Sequence, residues 1–114
     1  MKLIRFAVLT LAVAIAPLAP AVASLVEHVS TIDSVYPLAD GSFIIIFDDN
    51  ATACPNTKSR KYHFVAVNQL GVTEDAAKQI YAAALLALAM DKQVRVYFDD
   101  STTYCWIDRL RVMK

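Results

Sequence analysis

A single run of helix-forming residues interrupts a chain that is otherwise patterned for strands, and its position decides which small folds are open to it. Glu74 and Asp75 follow Thr73, which suits an N-cap at the positive end of a helix dipole, and the segment as far as about Met90 is rich in Ala and Leu, the residues that lose least on becoming helical. Ahead of it the pattern is β. From Leu25 to Tyr36 the spacing of Val26, Val29, Ile32 and Val35 is helix-like, but β-branched content and a closing Pro37 favour a long bent strand. Asp40-Gly41 is a hairpin-turn signal, and Ser42–Phe47 after it is the strongest strand in the chain. Asp48 to Ser59 is a polar loop; Arg60 to Val67 then alternates, with Tyr62, Phe64 and Ala66 on one side and His63, Val65 and Val67 on the other. Behind the helix, Gln93–Phe98 alternates as a fourth strand, Asp99–Thr102 is a turn, and Tyr104–Met113 is the fifth strand. The parity of that last strand slips, which predicts a bulge near Asp108-Arg109.

With one helix between the third and fourth of five strands, the economical arrangement is a small β-barrel, the OB-fold-like five-stranded Greek-key barrel. The cysteines agree with it. Cys54 and Cys105 are the only two, and an even pair in an exported chain is most simply a disulfide. In such a barrel strands three and five run side by side, so the loop before strand three and the start of strand five share one end. There the two Cα atoms can approach to the roughly 6 Å a bridge requires. The bridge is worth about 3 to 4 kcal/mol through restriction of the unfolded chain. The alternative, a reactive thiol or a two-cysteine metal site, lacks a neighbouring histidine to complete a ligand set.

Export is read from the N-terminus. Lys2 and Arg5 precede an uncharged run from Phe6 to Ala23, closed by Pro17 and Pro20, and Ala21-Val22-Ala23 has the small-x-small form of a signal-peptidase site. The unbroken apolar part is shorter than the roughly 20 residues of a bilayer span. Residues 1–23 are therefore expected to be a signal peptide cleaved near Ala23-Ser24. Residues 24–114 then form a single domain, secreted or periplasmic, with no membrane span after cleavage. That domain carries nine basic residues against eleven acidic ones, a balance that points away from nucleic acid, whose phosphates select a basic excess.

At the end of the helix and along strand four, Leu88-Ala89-Met90-Asp91-Lys92-Gln93-Val94-Arg95-Val96-Tyr97 resembles the B (binding) subunits of AB5 bacterial toxins, in the subtilase-cytotoxin and pertussis-like branch. That branch has a similar helix, turn and Gln-x-Val-Arg-apolar strand, often with glycine where this chain has Asp91-Lys92. The rest of the likeness is architectural: exported, disulfide-bonded, five strands, one helix after strand three. The resemblance implies a ring-forming, glycan-binding fold whose helices line a central channel.

Four sets of residues are candidates for function. An inward helix stripe of Ala77, Ile80, Tyr81, Ala84, Leu85 and Leu88 leaves Ala83, Leu86, Ala87 and Met90 facing out, a surface suited to self-association or to a second protein, although exposed alanine alone needs no partner. Tyr104 and Trp106 share a face of strand five and can stack on a sugar ring, or be buried. The loop pairs Asp48-Asp49 and Asp99-Asp100, expected at one end of the barrel, are a weak calcium candidate beside the plainer reading of solvated turns. Lys58, Arg60 and Lys61 precede Tyr62 and Phe64 as in oligonucleotide-binding faces, a reading that the acidic balance opposes. His28 and His63 are lone residues on strands and no catalytic constellation accompanies them. The expectation is a non-catalytic binding module without cofactor, forming a homo-oligomer, its ligand a glycan. The alternative is a periplasmic interaction or inhibitor protein that docks through its apolar helix.

Overall fold

The structure, a computed structural model, describes residues 10–12 and 25–114. The expected signal segment and cleavage junction thus lie, apart from residues 10–12, outside the described residues.

Thirteen residues, five of them β-branched (Val26, Val29, Thr31, Ile32 and Val35), make one strand long enough to serve two partners. The first half of this β1 (Leu25–Pro37) pairs with β4 (Gln93–Asp99), from Leu25 opposite Asp99 to Thr31 opposite Gln93. Its second half pairs with β2 (Phe43–Phe47), from Ile32 opposite Phe47 to Pro37 opposite Phe43. The register shifts between Ile32 and Ser34, so Asp33 is an extra residue there, and a bulge of this kind bends and twists a strand. β3 (Tyr62–Val65) pairs with β2, and β5 (Ile107–Val112) with β4. The result is one antiparallel five-stranded sheet in the order β3-β2-β1-β4-β5, with one helix, α1 (Glu74–Met90), between β3 and β4 in the chain. The edge strands β3 and β5 are not joined by a ladder. A backbone bond from the Phe64 N–H to the Tyr104 carbonyl, 3.1 Å, and the Cys54–Cys105 disulfide connect the two edges instead.

The parity slip in β5 is a bulge as predicted: Tyr97 faces Arg109 and Phe98 faces Ile107, leaving Asp108 without an opposite number. The strand itself is shorter than expected, beginning at Ile107 because Ser101–Tyr104 still belong to the turn.

The core lies between the inner face of the sheet and α1. Phe47, Ile45, Val65, Val94, Val96, Phe98 and Ile107 fill it from the sheet side. From α1 come Ala77, Ile80, Ala84 and Ala87. Thr73 caps the helix, its hydroxyl oxygen accepting the Ala76 N–H at 3.1 Å, and Asp91 ends it in the left-handed conformation. This corrects the expected stripe: Ala87, placed outward from the sequence, is fully buried, whereas Leu85, placed inward, is 38 % exposed. Alanine lets helix and sheet approach closely, so the contact face is centred on the small residues rather than on the leucines. No helix among the described residues is long and apolar enough to cross a membrane.

Candidate functional site

β2 is buried at all five positions, although a strand normally alternates. Phe43, Ile45 and Phe47 belong to the core, while Ile44 and Ile46 point to the opposite, outer face and are still only 3 % and 8 % exposed. The register gives the reason. Ile44 sits between Tyr36 of β1 and Phe64 of β3, and Ile46 between Ser34 and Tyr62. Aromatic rings roof the two isoleucines on the outside of the sheet.

That roof extends past the sheet edge. Tyr36 meets Tyr62 edge-on at 6.0 Å, Tyr62 meets Phe64 at 6.4 Å, and Phe64 presents itself edge-to-face to both Tyr104 (5.4 Å) and Trp106 (5.9 Å). Tyr104 and Trp106 are stacked, 4.8 Å between centroids and 15° apart in plane. Cys105 between them turns inward with φ 46° and is fully buried, a left-handed conformation that costs a non-glycine residue about 1 kcal/mol. The disulfide, with its Cα atoms 5.8 Å apart, holds Cys105 in that place. The backbone bond from Phe64 to Tyr104 holds the stack against β3. Tyr104 is half exposed and Trp106 partly so.

Polar groups border the rings. The Lys58 ammonium lies 5.4 Å from the centre of the Tyr62 ring, and the Tyr62 hydroxyl raises the Tyr36 phenol above its ordinary pKa by hydrogen bonding. Beside them the loop is tightly tied: Lys61 Nζ donates to the carbonyls of Cys54 (2.7 Å) and Asn56 (2.8 Å), and buried Asn56 donates to the Thr103 carbonyl at 3.0 Å. Two of the three basic residues that preceded the aromatics in sequence are thus committed within the protein: Lys61 to these carbonyls, and Arg60 to Asp33 at 3.0 Å. A row of π faces with a few hydroxyls and one cation at its border is suited to a flat ligand having an apolar side and polar edges.

The other candidates are placed differently. Asp48 and Asp99 do not share an end of the sheet. The Asp48 N–H donates to Thr31, whereas Asp99 pairs with Leu25, six residues and on the order of 20 Å of strand away. Asp48 instead accepts from the Thr31 hydroxyl and lies near Arg60, and Asp99 accepts the Ser101 N–H. The expected convergence of Asp48, Asp49, Asp99 and Asp100 on one ion is therefore not found among the described residues, because β2 and β4 pair with different halves of β1 and set Asp48 beside Thr31 and Asp99 beside Leu25. On the helix, Leu86 (53 % exposed) and Met90 (57 %) face outward with Leu85, Ala83 is partly covered, and Ala87 is in the core.

His63 is the residue that sequence reasoning undervalued. It is fully buried, its ring 5.0 Å from Phe47, 4.9 Å from Phe98 and stacked at 6.3 Å on His28. Neither ring nitrogen has a well-aligned hydrogen-bond partner, although the Cys105 backbone approaches the ring closely enough to oppose part of the pKa shift. Burial, reinforced by the neighbouring charge of His28, pushes its pKa down to about 4, so it is neutral at physiological pH. A ring nitrogen and the sulfurs of Cys54 and Cys105 all lie within 4.8 Å of one another. The signal was available: the alternation of strand three put His63 on the side of Val65, opposite Tyr62 and Phe64.

A separate cleft of about 480 Å³ opens between the β1–β2 turn and the first turns of α1, lined by Pro37, Phe43, Val67 and Tyr81 among others. Its charged groups are paired locally. Glu74 lies 3.5 Å from Lys78, and Asp40 accepts from the Ser42 N–H and hydroxyl, which hold its carboxyl below the usual range.

Comparison with family models, with curated proteins and with solved structures returned no match.

Proposed function

We propose that this chain is an exported, non-catalytic glycan-binding module that self-associates, with its outer aromatic face as the sugar site. The observation that carries the reading is the partly exposed Tyr104–Trp106 stack with Phe64 against it, outside the core and continuous with Tyr62 and Tyr36. A pyranose presents C–H groups of partial positive charge on one side and hydroxyls around its edge. The former match π faces and the latter match the tyrosine hydroxyls and Lys58. The strand order, the bent β1 shared by β2 and β4, and the position of the helix support an OB-fold-like, partly open barrel, and with it the likeness to AB5 toxin B subunits. On a glycan array the oxidised protein is expected to retain a defined set of sugars. Trp106→Ala is expected to weaken retention by about 30-fold, the effect of losing one anchoring ring of roughly 2 kcal/mol. A folded protein that retains none, or an unaffected Trp106→Ala variant, refutes the site.

Leu85, Leu86 and Met90, three large apolar side chains exposed on α1, support the second part of the proposal and equally the alternative, docking on a different protein. Light scattering separates them. The wild type is expected to be an oligomer that Leu86→Glu converts to monomers; a monomeric wild type favours the interaction-protein reading.

A further inference from the structure

Two sulfurs and an imidazole nitrogen within 4.8 Å of one another, all buried, make a ligand set once the sulfur–sulfur bond is opened. We propose that the reduced chain binds zinc(II) through Cys54, Cys105 and His63, so that this corner of the core is closed either by a disulfide or by a metal, never by both. His63 is fully buried, and beyond an approach of the Cys105 backbone its ring nitrogens have no well-aligned hydrogen-bond partner, an under-satisfied state that buried polar groups rarely keep and that coordination to a metal would relieve. Tetrahedral zinc with two thiolates at about 2.3 Å and one nitrogen at about 2.0 Å spaces its ligand atoms by about 3.5 to 3.8 Å. The Cα atoms of the two cysteines, 5.8 Å apart, permit the sulfurs to separate that far by side-chain rotation. The Thr102 carbonyl oxygen, 3.8 Å from Cys105 Sγ, is at hand for the fourth position.

The chemistry balances with a dithiol reductant. It transfers two electrons and two protons to the Cys54–Cys105 bond, leaving two thiols, and becomes a disulfide itself. Zinc(II) then takes the lone pair of the neutral imidazole and displaces both thiol protons to solvent. A two-electron thiol oxidant reverses the first step and releases the metal. The arrangement would shield both thiols from bonding to a second chain before their own bond is formed.

The test uses cobalt(II) as a spectroscopic substitute, added to the chain from residue 24 onward after reduction with a phosphine that does not bind it. One equivalent is expected to give the thiolate-to-cobalt charge-transfer band and the intense visible absorption of a tetrahedral site, with zinc(II) displacing it. The oxidised protein is expected to give neither. His63→Gln, checked for folding in its oxidised form, is expected to weaken binding more than 100-fold, beyond the usual cost of losing a second-shell contact. Absence of the charge-transfer band in the reduced wild type, or equal affinity of His63→Gln, overturns the assignment.

Discussion

Reducing the Cys54–Cys105 bond at neutral pH with a chelator present is expected to lower the unfolding free energy by about 4 kcal/mol. The bond closes a span of 51 residues, and for a loop of that length the chain-entropy estimate gives this magnitude at 25 °C. Against the roughly 5 to 14 kcal/mol available to a domain of about 90 residues, the loss leaves it marginal. The double variant Cys54→Ala/Cys105→Ala is expected to lose more, since both sulfurs are in the core, 1 % and 0 % exposed, and their removal adds a void. Denaturant titrations of the oxidised, reduced and double-variant proteins measure both steps. If reduction leaves the midpoint unchanged, the link between the sheet edges contributes nothing and Cys105 is held in place by other contacts. Stability regained when zinc(II) replaces the chelator connects this result to the proposed metal site.

The second large effect is expected on acidification. His63 has a folded pKa of about 4 against an ordinary 6.5, so between those values the unfolded chain binds a proton that the folded one does not. Its contribution is therefore intact above pH 6.5, is lost as pH falls through the window from 6.5 to 4, and levels off below 4. The total loss is about 3 kcal/mol. The neighbouring charges of His28 and Lys61 act in the same direction as burial, and the Cys105 backbone acts against them. Asp40, whose carboxyl lies below the usual range, adds its loss only in more acid solution. His63→Phe places an apolar ring among Phe47, Phe98 and His28 and is expected to flatten the 6.5-to-4 slope. Denaturation midpoints at pH 7, 5.5 and 4 for both proteins decide it; equal slopes would mean that His63 is not the group responsible.

Much of this fold was legible because its signals are local. Thr73 with its acidic neighbours, the Asp40-Gly41 turn, the slip of parity at Asp108 and the pairing of Cys54 with Cys105 each follow from a few adjacent residues or from arithmetic. What was missed depends on tertiary placement. Ala87 and Leu85 exchange roles because a helix of nearly uniform apolar composition has no strong stripe, and only the sheet decides which side it rests on. The acidic pairs were expected together because nothing in the sequence shows that β2 and β4 take different halves of β1. For the site, Tyr104 and Trp106 were legible as a pair two residues apart, although they stack through the left-handed turn at Cys105, ahead of β5, and not on a strand face. Their union with Phe64, Tyr62 and Tyr36 needed strand register, and so did the meeting of His63 with the sulfurs.

Nuclear magnetic resonance of the labelled, oxidised domain titrated with an array-selected sugar reads directly which surface meets the ligand. Shifts are predicted for the Trp106 indole N–H and for the amides of Phe64 and Tyr104, with the amides from Leu85 to Met90 unmoved. Shifts confined to the helix or to the cleft beside Tyr81, with the Trp106 signal fixed, would contradict it.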